Sequence, residues 1–106
     1  MSSSLREPFT LSELSSAYRT AAEREAQRIS QGASTTGYKV GFTNTRNWAQ
    51  MGATEPMWGA MYDDTVTHLA GGTGRYSLAG LMGPRIEPEI VLHFHKAPAP
   101  DEGPAA

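Results

Sequence analysis

The sequence predicts an α+β fold, with one N-terminal helix followed by a mixed β-rich region. Three stretches carry that expectation. Thr10-Leu11-Ser12-Glu13 has the form of a capping box at the head of an amphipathic run. Gly37-Tyr38-Lys39-Val40-Gly41-Phe42-Thr43 alternates with the period of a strand. The run from Pro84 to Phe94 is apolar except for Arg85, Glu87, Glu89 and His93, which alternate with the apolar positions.

The helix is expected to begin after Thr10 and to stop near Gly32, a residue suited to the left-handed conformation past a last turn. Leu11, Leu14, Tyr18, Ala21, Ala22 and Ile29 fall on or near one stripe, with Arg19, Glu23, Arg24 and Gln27 opposite. Residues 1–9 read as a flexible lead-in. In the first strand, Tyr38, Val40 and Phe42 share one face, and Lys39 shares the other with Gly37 and Gly41. Glycine inside a strand often marks the close approach of a ligand or a second backbone, so Lys39 is a candidate for an amine projecting into a cavity. The bland alternative is an exposed lysine on a half-buried strand.

Asn44 or Thr45 can cap a short helix through Arg46, Trp48 and Met51 that ends at Gly52. Met57 to Tyr62 reads as a strand with a glycine break, and Asp63-Asp64 as turn chemistry. Thr65 to Leu69 and Arg75 to Leu78 are expected as short strands joined through Ala70 to Gly74. The Gly71-Gly72-Thr73-Gly74 run lacks the Lys-Ser/Thr ending of a phosphate loop, and there is no Gly-x-Ser-x-Gly elbow for a serine nucleophile. Lys96 to Ala106 is rich in proline and alanine and reads as a loop or tail.

Composition narrows the chemistry. With 106 residues the chain is too short for two domains with separate cores, and a mean hydropathy of -0.43 points to a modest one. A net charge of -2 without a basic stripe argues against nucleic acid as a partner. No apolar run is long enough to span a bilayer, and Met1 to Pro8 has no hydrophobic signal core, so the expectation is a cytoplasmic protein without a membrane partner. Because the chain has no cysteine, any bound metal must be held by oxygen or imidazole. In a strand, Glu87 and Glu89 would share a face with Cα atoms about 7 Å apart, a spacing that penalises two buried carboxylates unless a cation answers them. A hard divalent ion meets that need; a solvated edge-strand face is the bland alternative. His93 and His95 lie on the same face and read as structural or exposed, with co-ligation by Glu89 and His93 the lesser option.

Taken in order with the helix, the short helix ending at Gly52 and the Pro56 to Asp64 segment, Gly37-Tyr38-Lys39-Val40-Gly41-Phe42-Thr43 and Pro84-Arg85-Ile86-Glu87-Pro88-Glu89-Ile90 carry a family resemblance. Over roughly residues 10 to 100 the chain resembles the 2-keto-4-pentenoate hydratase and 4-oxalocrotonate decarboxylase branch of the fumarylacetoacetate hydrolase superfamily. The resemblance implies the N-terminal part of that superfamily's β-roll, incomplete here: residues 10–96 as a partial domain and 97–106 as the loop or tail where the chain stops.

For function, the resemblance implies Mg²⁺ or Mn²⁺ on Glu87 and Glu89, with a third protein ligand beyond this chain. It implies Lys39 beside the substrate as hydrogen-bond donor or proton-transfer group, and Arg85 as a holder of carboxylate. The implied substrate is a small 2-oxo or 2-hydroxy-dienoic acid, the implied reaction hydration by a metal-dependent lyase, and the implied assembly a homo-oligomer. Decarboxylation of a 2-oxo acid and carbon–carbon hydrolysis of an acylpyruvate are the alternatives within the superfamily. Met57 stands where some relatives carry an acidic residue, which leaves substrate choice open. The alternative of another class is a non-catalytic truncated fold or assembly module, whose missing sheet partners would expose strand edges.

Overall fold

The computed structural model describes residues 5–103, so parts of the expected lead-in and of the expected tail lie outside the described residues. The chain divides into two units, which meet in sequence at Thr73 and Gly74.

The first unit opens with helix α1, Leu11–Ser30. The capping box forms as expected: the Glu13 N–H donates to Thr10 Oγ1 at 3.1 Å, and the Thr10 N–H donates to Glu13 Oε2 at 2.9 Å. Gln31 caps the other end and Gly32 follows at φ 101°, in the left-handed region. The half-buried positions of α1 are Leu14, Tyr18, Glu25 and Arg28, a single stripe at helical spacing. This corrects the expected apolar stripe, since Leu11 is 82% exposed and Ile29 is exposed as well. The physical reason lies opposite the last turns of the helix, where polar partners wait. Thr35 Oγ1 donates to Glu25 Oε1 at 2.9 Å, and the Arg28 guanidinium pairs with Asp64 while lying over the Tyr62 ring, 4.2 Å from its centroid.

Thr35 and Tyr62 belong to a two-stranded antiparallel sheet of β1 (Thr35–Gly41) and β2 (Met57–Tyr62), and Asp64 follows β2 directly in the turn. The register pairs Tyr38 with Ala60, Lys39 with Gly59, Val40 with Trp58 and Gly41 with Met57, and an irregularity falls between Thr35 and Gly37. β1 stops at Gly41, two residues before the expected Thr43. Phe42 takes φ 55°, an uncommon conformation for a residue with a side chain, and its carbonyl accepts the Trp48 indole N–H at 2.7 Å. The opposing chain offers no reason to continue, because the residue before Met57 is Pro56, which has no N–H for a ladder.

Between the strands, a 3-10 turn over Thr45–Asn47 leads into the four-residue helix α2, Trp48–Met51. Asn44 accepts the Arg46 N–H at 3.1 Å, and Gly52 ends the helix at φ 72°. Gly52 and Ala53 are buried by the chain ahead of α1: the Arg6 N–H donates to the Ala49 carbonyl at 3.1 Å and the Phe9 N–H to the Gly52 carbonyl at 2.9 Å. A Cβ on Gly52 would lie 2.7 Å from the Glu7 carbonyl oxygen, so glycine is required there by space as well as by backbone conformation.

Neither expected strand on the two sides of Gly71 forms. Residues 65–69 and 75–78 are irregular, and Ala70–Gly72 is a 3-10 turn in which Gly71 and Gly72 take φ 80° and 74°. The expected strand over 84–94 in the second unit is absent too. A strand exists only in a ladder, and two or three short segments without a third sheet partner cannot sustain one in water. The second unit is instead a chain of turns and irregular segments. The Leu81 N–H closes on the Leu78 carbonyl at 3.2 Å and the Glu102 N–H on the Ala99 carbonyl at 3.0 Å. The α+β class stands, with the β part confined among the described residues to one hairpin-like pair.

Thr10→Ala removes one half of the capping box and is expected to lower stability by about 1 kcal/mol, read from a urea transition followed by circular dichroism at 222 nm. Gly52→Ala is expected to cost more, because the Glu7 carbonyl must move to admit the methyl group; an unchanged urea midpoint would reject that packing.

Candidate functional site

The β1–β2 register decides what surrounds Lys39. In an antiparallel pair, directly opposed residues project on the same side, so Lys39 and its partner Gly59 share a face with Gly37 and Gly41 from the same strand and with Met57 and Met61 from the other. The opposite face carries Tyr38, Val40, Trp58 and Ala60. That second face is the one covered by α1: the Tyr18 ring stacks on Trp58 with centroids 5.1 Å apart and planes 17° from parallel, and Tyr38 meets Trp58 edge-on at 5.5 Å. Lys39 therefore projects from the side of the sheet away from the helix, over a floor of three glycines.

Nothing within the unit asks for glycine at those three places. None has a positive φ, and a Cβ built on Gly37, Gly41 or Gly59 would meet no atom within 4 Å. The sequence pattern identified the two glycines beside Lys39, but Gly59 entered it only as a break in a strand. Its place opposite Lys39 follows from the register, which no local pattern encodes. Between the Met57 and Met61 side chains, the three glycines beside Lys39 leave backbone against which a small planar group can lie. Phe42 turns the chain out of β1 immediately after this patch, and the Trp48 hydrogen bond holds that turn.

Arg85, Glu87 and Glu89 belong to the second unit and Lys39 to the first. All three are exposed, in an irregular segment whose apolar residues are exposed as well: Ile86 is 94% and Ile90 90% accessible. The expected sorting into a buried apolar face and a charged face is thus not realised within the chain. Lys39, Glu87 and Glu89 each interact with another group in the structure. Among the described residues, no three or more His, Asp or Glu side chains are grouped to hold a metal ion. Two carboxylates nevertheless suit Mg²⁺ or Mn²⁺ in kind, since such ions accept one or two protein carboxylates and fill their other positions with water or substrate oxygen.

Asp63 and Asp64 do more than shape a turn. Asp63 Oδ1 accepts the Ser34 N–H at 2.9 Å and the Asp63 N–H returns to the Ser34 carbonyl at 3.0 Å, while Asp64 pairs with Arg28. Together these bonds fasten the end of α1 to the hairpin around a shallow polar recess of about 290 Å³. Every charged group lining the recess that has a named partner finds it in a structural tie, so the recess reads as a clasp.

The chain is 40% identical over 71 residues to a 4-oxalocrotonate decarboxylase from Pseudomonas sp; the match covers 67% of this chain and 27% of that protein. The chain thus spans roughly a quarter of the length of the curated relative it matches. No family model matches the chain, and no solved structure does either. No helix among the described residues is long and apolar enough to cross a membrane.

Because the space around Gly59 is open, Gly59→Val is expected to leave folding intact and to raise stability by up to about 1 kcal/mol, valine being favoured in strands where glycine is not. A urea midpoint shifted downward by the substitution would show that something packs on the glycine floor within the chain itself.

Proposed function

We propose that this chain is the Lys39- and Glu87/Glu89-bearing part of a metal-dependent 2-oxo acid lyase of the fumarylacetoacetate hydrolase superfamily, with decarboxylation the favoured reaction. The observation that carries the reading is the 40% identity to a 4-oxalocrotonate decarboxylase. Hydration of a 2-hydroxy-dienoate, which the sequence resemblance put first, is the neighbouring reading; it needs the same acid head group and the same residues.

In this reading Glu87 and Glu89 hold a divalent cation, which when bound supplies Lewis acidity to the oxygens of a 2-oxo acid. The residues of the chain do the rest. Lys39 Nζ donates a hydrogen bond to a substrate oxygen that gains charge as the bond to the departing carboxylate breaks and its electron pair moves into the conjugated system. The glycine floor lets the planar acid lie against the sheet and keeps side chains out of its way. Arg85, with its forked donors, holds a carboxylate of the substrate.

Isothermal titration with Mn²⁺ tests the metal reading. We expect saturable binding that weakens at least tenfold in Glu87→Gln and in Glu89→Gln; equal heats in all three proteins would remove the assignment. Oxalate, which presents the adjacent oxygens of a 2-oxo acid head, is then titrated into the Mn²⁺-loaded chain, where Lys39→Ala is expected to weaken it about tenfold, the value of one charge-assisted hydrogen bond. The two reactions separate by product: CO₂ release from 4-oxalocrotonate against loss of dienol absorbance from 2-hydroxypenta-2,4-dienoate.

A further inference from the structure

Backbone strain in the first unit sits beside a residue that could have removed it. Phe42 is the one non-glycine residue at positive φ among the described residues, at 55°. An aromatic side chain is disfavoured there, whereas glycine takes that conformation freely. Gly41 is the residue just before, yet its φ is not positive. A chain that needed only to leave the strand would turn on the glycine. Here the turn falls on Phe42, and Gly41 stays in the ladder opposite Met57, on the face of Lys39. Burial of the ring does not offset the strain, since Phe42 is 42% exposed.

A side chain six residues further on holds the turn instead. The Trp48 indole N–H donates to the Phe42 carbonyl at 2.7 Å, at the close end of the usual range. Trp48 is itself firmly seated. It opens α2, and its own carbonyl accepts the N–H groups of Gly52 and Ala53, the two buried residues among those described. The bonds from Arg6 to Ala49 and from Phe9 to Gly52 close that short helix from the other side. Strained backbone persists where its surroundings over-determine it, and such residues gather at ligand sites.

The ladder cannot replace the indole. Its last pair is Gly41 with Met57, and Pro56 beyond has no N–H to continue it. Without the Trp48 bond, Phe42 returns to negative φ and turns the peptide that joins it to Gly41. Glycine offers no side-chain resistance to that rotation. Gly41 is the neighbour of Lys39 on the open face, so the disturbance enters the glycine floor there.

We propose that Trp48 is a positioning residue for this face: through the Phe42 carbonyl it fixes Gly41 beside Lys39, so that the seat for an acid head group is formed before the ligand arrives. The inference rests on the reading of Lys39 and the glycine floor as that seat.

The test uses the full 106-residue chain and Trp48→Phe, which keeps an aromatic ring and removes the N–H donor. In ¹⁵N relaxation without metal or ligand, the order parameters of the Gly41 and Phe42 amides are expected to fall from about 0.85 to below about 0.6. In the Mn²⁺-loaded chain, the variant is expected to bind oxalate about tenfold more weakly with its Mn²⁺ affinity unchanged. Phe42→Asn added to Trp48→Phe is expected to recover most of that loss, because asparagine tolerates the left-handed region. Thr10→Ala, destabilising but remote from the floor, is expected to leave oxalate binding as it is, which separates positioning from stability. Unchanged order at Gly41 in Trp48→Phe overturns the proposal. So does unchanged oxalate affinity in that variant where Lys39→Ala weakens it, or a loss that Phe42→Asn does not recover. Failure of Lys39→Ala to weaken oxalate, or of the natural chain to bind it, counts against the reading of Lys39 and leaves the order parameters to decide whether Trp48 holds the floor.

Discussion

Trp58 is where the first unit becomes a tertiary structure. Its indole stacks on Tyr18 of α1 from one side and is met edge-on by Tyr38 from the neighbouring strand. Each element it joins is weak alone: a two-stranded sheet is marginal in water, and a lone 20-residue helix is not much better. Aromatic pairs of this geometry contribute about 0.5–1.5 kcal/mol each beyond the area they bury, in a unit whose one buried apolar side chain among the described residues is Ala53. With so little apolar burial, the remaining ties are polar and sit at the other end of the helix, where Glu25 and Arg28 reach the hairpin. The orientation of Lys39 is a by-product of this arrangement. Covering the Trp58 face with α1 leaves the glycine face as the open one.

The two halves of the candidate chemistry therefore rest on different kinds of support. Lys39 stands on a hydrogen-bonded strand whose partner, neighbours and covered face are all defined. Glu87 and Glu89 stand on a segment with no secondary structure, among apolar residues exposed to solvent.

Local signals in the sequence were legible wherever one short stretch sufficed to specify a structure. The capping box at Thr10 and Glu13, the left-handed stop at Gly32, the short helix ending at Gly52 and the alternation around Lys39 are all of this kind. What failed was whatever depended on a partner outside the stretch. The 84–94 run has the composition of a strand but finds no ladder, and the apolar stripe expected along α1 includes Ile29 because nothing local announces that Asp64, 36 residues beyond Arg28 in the chain, pairs with it. Gly59 shows the same limit at the site. It is an ordinary strand glycine until the register sets it opposite Lys39.

The two tryptophans sit in opposite kinds of surroundings, and that gives the unit a built-in optical distinction. Trp58 lies among tyrosine rings within energy-transfer distance, so light absorbed by Tyr18 and Tyr38 emerges from an indole whose brightness reports the helix–sheet contact. Trp48 is anchored by its N–H to the carbonyl of Phe42, the one non-glycine residue at positive φ among the described residues. Its emission colour follows whether that polar anchor is protein or water. Replacing either tryptophan with phenylalanine isolates the other signal, so opening of the helix and relaxation of the turn beyond Lys39 become separately visible events in the same molecule.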